Sequence, residues 1–114
     1  MINDGGDIVY KFKNYYIDAL LENQYELNKP FYTGNEKIII ISHEIYDYML
    51  DKYTHTIFYY IKNNDNNIIT FKDLYDEIDK QSLEYSSLLD NEDHLFIEGF
   101  DKKTNIHYEM CCLS

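Results

Sequence analysis

The residue types that metal or proton chemistry needs come together most closely at His43-Glu44-Ile45-Tyr46-Asp47. On a helix His43 and Asp47 would lie one turn apart. With a glutamate beside them they form half of the H-E-x-x-H pattern, in which two imidazoles hold zinc and the carboxylate activates water. Asp47 stands where the second histidine belongs, and no third ligand follows at a motif spacing. A small metal-dependent enzyme centred on His43, Glu44 and Asp47 is therefore the lesser alternative, and neither a metal nor a cofactor is expected. Ser42 precedes His43, but neighbours on a regular element diverge and cannot serve as nucleophile and base to one another.

Other candidates fail on spacing. Cys111 and Cys112 are adjacent, so on a strand they point to opposite faces, and with His107 they form no C-x-x-C metal pattern. Residues 64–73 resemble the second half of an EF-hand loop, but Lys62 falls at the first ligand position and Asn67 replaces the glycine, so calcium binding is not expected. G-x-S-x-G, P-loop and G-x-G-x-x-G patterns are missing. No catalytic residue is assigned, and the chain is read as a non-enzyme.

The strongest signal is electrostatic. Between positions 73 and 101 stand ten carboxylates, Asp73, Asp76, Glu77, Asp79, Glu84, Asp90, Glu92, Asp93, Glu98 and Asp101, against the single cation Lys80. The whole chain has a net charge of −11, and its cations are all lysine. Without arginine the bidentate forks that read phosphate and guanine are missing, and the net charge repels nucleic acid and anionic membranes. Neither direct nucleic-acid binding nor membrane binding is expected, and the implied partner is a basic protein. Thirteen tyrosines, several adjacent (Tyr15-Tyr16, Tyr59-Tyr60), add to this, because neighbours cannot both face a core and an exposed tyrosine makes a good contact residue.

These residues need elements to position them. With 45% hydrophobic and 17% aromatic residues in 114, the chain has enough apolar surface for one domain over 1–114. Apolar spacing predicts helix 1 over 7–26, with a short strand over 8–13 as its rival, ended by Pro30. The run Lys37-Ile38-Ile39-Ile40-Ile41 predicts a central strand. Ser42 as a cap predicts helix 2 over 43–53, Thr56 to Lys62 predicts a strand, and the asparagine-rich 63–67 a turn. Ile68-Ile69 suggests a short strand. Thr70 and Asp73 form a capping-box pattern opening helix 3 over 71–81, continuing irregularly to Leu89. Residues 94–100 and 106–111 read as a C-terminal hairpin. The expected fold is α+β, about three helices packed on a small, mainly antiparallel sheet of about four strands.

On helix 3 the carboxylates lie opposite the apolar stripe, forming a ledge. The leading expectation is a non-catalytic acidic inhibitor that docks on the basic groove of a nucleic-acid-handling enzyme through Asp73, Asp76, Glu77, Glu84, Asp90, Glu92, Asp93, Tyr59 and Tyr60. In size, charge and composition the chain resembles small phage- or mobile-element-encoded inhibitors of the anti-CRISPR or DNA-mimic kind. That likeness rests on no motif. A cytoplasmic location is expected because the only cysteines are adjacent and no signal-peptide or membrane-span pattern is seen. An immunity or antitoxin protein neutralising a basic toxin is the first alternative, and an assembly protein joining through its tyrosines a further one.

Overall fold

The computed structural model describes residues 14–15, 27–47, 49–63, 68–90 and 95–113. Its dominant feature is a long hairpin, β2 (Ile38–Asp47) and β3 (Lys52–Lys62), preceded by the short β1 (Pro30–Tyr32). Next come β4 (Ile69–Thr70), helix α1 (Phe71–Ser82), a 3-10 turn (Leu83–Tyr85) and the short α2 (Ser86–Leu89). A second hairpin, β5 (Phe96–Lys102) and β6 (His107–Leu113), follows. The two hairpins lie side by side in a four-stranded sheet of order β3-β2-β6-β5, joined in the middle by the parallel pair β2–β6. β1 and β4 form a separate two-stranded sheet.

This corrects the expected class. Among the described residues strand accounts for 49% and helix for 25%, with six strands in two sheets and a helical rod of nineteen residues over 71–89, so the class is mostly strand and not about three helices on a four-stranded sheet. The error lies chiefly at 43–53, where a helix was predicted. There, β2 continues to Asp47, and its alternation buries Ile39, Ile41, His43 and Ile45 in turn. The periods of strand and helix both place apolar residues acceptably over so short a run, and pairing with β3 decides between them. Turn chemistry then reverses the chain. The Asp47 carboxylate accepts from the backbone N–H groups of Met49 (2.9 Å) and Leu50 (3.1 Å), and Asp51 takes a left-handed conformation at φ 55°. Ser42, read as a helix cap, sits in mid-strand. Helix 1 over 7–26 lies outside the described residues except at Asn14 and Tyr15, which are not helical, and its rival strand and most of the turn at 63–67 lie outside them too.

Other expectations hold in outline. The capping box forms: Asp73 N–H donates to Thr70 Oγ1 (3.1 Å), and Thr70 N–H to Asp73 Oδ2 (3.2 Å). The rod lays Leu74, Ile78, Ser82 and Leu89 on the sheet, against Ile39, Ile41, Ile57, Tyr59, Ile61 and Met110. Each such aliphatic side chain contributes about 1.5–3 kcal/mol by leaving water. Phe31 stacks edge-on to Phe71 and Phe100 at 5.2 and 5.1 Å, fastening β1 to the start of the rod and to the second hairpin. Gly34 has no room for a Cβ, which would overlap the Tyr32 ring and hydroxyl. That hydroxyl accepts from the Glu36 N–H (3.0 Å), so the loop into β2 depends on the missing side chain. Among the described residues no helix is long and apolar enough to cross a membrane.

Candidate functional site

The amphipathic rod sets the site. With Leu74 and Ile78 buried, Asp73, Asp76 and Lys80 are exposed and Glu77 half-buried. The rod runs beside β3, the edge strand of the large sheet, and the Gln81 side chain fastens the two together. Ile40 N–H donates to the Ile106 carbonyl on the β6 side (2.7 Å), and Ile40 pairs with Tyr60. Tyr60 is thus in a non-hydrogen-bonded pair, and its own backbone groups face away from β2. Gln81 takes both of them: Tyr60 N–H donates to Oε1 (3.0 Å) and Nε2 donates to the Tyr60 carbonyl (2.7 Å).

Beyond Gln81 the rod and the strand part, leaving a groove of about 500 Å³. Asp73, Asp76, Glu77 and Lys80 line one wall, Tyr60, Ile61 and Lys62 the other, with Ile68 and Ile69 at one end. The fold therefore brings together Asp73, Asp76, Glu77 and Tyr60, four of the residues picked from the sequence. It also brings in Lys62, which the sequence keeps apart from the acidic stretch. Lys72 Nζ bonds Asp76 Oδ2 at 2.8 Å, one helical turn away, and that hydrogen bond holds the ammonium above its ordinary pKa. Asp73 spends one oxygen on the capping box.

The remaining predicted residues are divided. Glu84 and Asp90 are exposed farther along the rod, whereas Glu92 and Asp93 lie outside the described residues. Tyr59 is completely buried and cannot touch a partner, whereas Tyr60 beside it is 53% exposed. The tyrosine pair splits by strand alternation. Glu98 and Asp101 fall on β5, the opposite edge, three strand spacings or about 14 Å from β3. Asp101 is engaged there with Lys103 (3.2 Å), which also reaches Glu109 (3.3 Å). Among the described residues the stretch 73–101 thus presents two surfaces, of which the rod carries the denser one.

Three further polar contacts escaped sequence reasoning. Tyr15 Oη lies 2.8 Å from His43 Nδ1 and 2.6 Å from Tyr59 Oη, all three groups buried. Burial pushes the Tyr59 hydroxyl pKa strongly upward, partly offset by the bond from Tyr15. On the other face of β2, Ser42 Oγ lies 2.8 Å from His107 Nε2. A hydroxyl at that distance from an imidazole could in principle be activated. Ser42 is only 4% exposed, however, so a substrate has no route to its oxygen, and the bond serves to lock β2 to β6. Only the strand register could have revealed this pair.

The metal reading loses its geometry. Strand alternation turns His43 into the core and Glu44 out to solvent, and Asp47 is occupied with the turn. Among the described residues no group of three or more histidine, cysteine or acidic side chains is placed to hold a metal ion. No protein family, no characterised protein and no solved structure matches this chain.

Proposed function

We propose that this chain is a non-catalytic acidic binding protein that docks on the basic groove of a nucleic-acid-handling enzyme and occupies it in place of the nucleic acid. The observation that carries the reading is the rod itself. Asp73, Asp76 and Glu77 lie along one stiff helix beside the exposed ring of Tyr60. Carboxylates a helical turn apart stand roughly 5–6 Å from one another, a regular line of negative charge of the kind a phosphate-binding groove recognises. The net charge of −11 steers such a protein toward a cationic cleft and away from nucleic acid.

Two features refine the docking residues. Tyr60 replaces the pair Tyr59 and Tyr60, because Tyr59 is core. The rod contributes Asp73, Asp76, Glu77, Glu84 and Asp90, and the β5 carboxylates belong to a different surface. The test is titration against a candidate nuclease with its DNA. Inhibition should be competitive with DNA and should weaken steeply with salt. Inhibition that is independent of salt, or that leaves DNA binding intact, would sink the reading.

A further inference from the structure

Gln81 shows what the edge of β3 accepts. Its primary amide donates to one backbone group of Tyr60 and accepts from the other, at 2.7 and 3.0 Å, just as the peptide group of a neighbouring strand would. By the two-residue period, the backbone N–H and carbonyl of Phe58 and Lys62 point the same way, and no strand lies beside them among the described residues. An open strand edge next to a groove is where an extended peptide adds to a sheet. Resting on the reading above, we infer that the partner enters this groove as an extended segment with alternating cationic and apolar residues, paired to β3 at Lys62 and, by displacing the Gln81 amide, at Tyr60.

The alternation follows from the two sides of the edge. A strand added here sends successive side chains to opposite faces. One set lies beside Phe58 and Tyr60, exposed at 43% and 53% on the sheet's outer face, and so should be apolar. The other set turns toward the rod, where Asp73, Asp76 and Glu77 meet the groove's Lys62 and Lys80, with Lys72 paired to Asp76. The two signs balance locally, so it is the chain's net charge of −11 that favours lysine or arginine on the rod side. A second copy of this chain is disfavoured by the same charge.

The experiment uses a dye-labelled peptide of about eight residues alternating lysine and valine, and a second of the same sequence N-methylated on alternate residues, which keeps the charge and removes ladder N–H groups. Fluorescence polarisation at low salt should show the plain peptide binding about tenfold or more tightly than the methylated one. Asp76→Lys with Glu77→Lys should weaken the plain peptide by a similar factor. Equal binding of the two peptides overturns strand pairing while leaving the acidic docking face in place, and no binding of the plain peptide overturns the inference as well. An affinity unchanged in the double variant places the peptide elsewhere and also overturns it. The wider reading fails separately, if the same double variant still inhibits the nuclease.

Discussion

Tyr59 and Tyr60 are neighbours on one strand, yet they belong to two regions that handle polarity in opposite ways. On the inner face, Tyr59 meets Tyr15 and His43 in a dry network in which each polar atom has a protein partner. Along the edge, Tyr60 presents its ring to water, its backbone is held by a borrowed amide, and the carboxylates of the rod stand in solvent. The difference separates stability from recognition. A buried hydroxyl raises the cost of any change around it, whereas exposed carboxylates contribute little to folding and stay accessible to a partner.

The comparison breaks most sharply under truncation. Tyr59→Ala is expected to destabilise the fold by about 3–5 kcal/mol, and Tyr60→Ala by less than about 1 kcal/mol, in urea denaturation. Similar losses for both would mean that the edge is part of the core.

The second test is pH. Because burial raises the Tyr59 pKa, and that of Tyr108 in the same direction, the folded state holds these protons more tightly than the unfolded chain does. Their contribution is fully present below the unfolded value near 10 and is lost as pH rises above it, at about 1.4 kcal/mol per unit for the fully buried Tyr59 and by less for Tyr108. Urea midpoints should therefore fall between about pH 9 and about pH 11. Tyr59→Phe should flatten that fall, and Tyr60→Phe should leave it unchanged.

A smaller effect comes from the junction of the two regions. Thr70→Ala removes the cap of the rod and should cost about 1 kcal/mol, read from thermal melts. Smallest in stability is Gln81→Ala, within about 1 kcal/mol, because Tyr60 can exchange the amide for water. Its readout is the alternating lysine–valine peptide, which should bind more tightly once the amide no longer competes for the Tyr60 backbone. An unchanged peptide affinity would argue that Gln81 does not guard the edge.

What the sequence disclosed follows the same division. Local chemistry was readable: the Thr70–Asp73 box, the rod from Phe71 to Leu89, the isoleucine strand and the C-terminal hairpin all depend on nearby residues. The hairpin tip was misread because His43 to Tyr53 suits a helix period until the partner strand is known. Helical spacing also put the rod's carboxylates opposite its apolar stripe, as they stand. Tyr59 was misplaced by treating the tyrosine pair as a unit, although Ile57 and Ile61 already marked its parity as inward. Gln81 on Tyr60, Lys62 at the groove, Ser42 with His107 and the removal of Glu98 and Asp101 to the far edge depend on strand order and register, which no local pattern encodes.

The most direct test of the acidic edge as a docking face is the affinity for a candidate nucleic-acid-handling enzyme, measured for the wild-type chain and for Asp76→Lys with Glu77→Lys across a range of salt. The account predicts tight wild-type binding that falls steeply with salt, loss of binding in the double variant, and an unchanged unfolding midpoint. Wild-type affinity retained by the variant, with the same salt dependence, would contradict it.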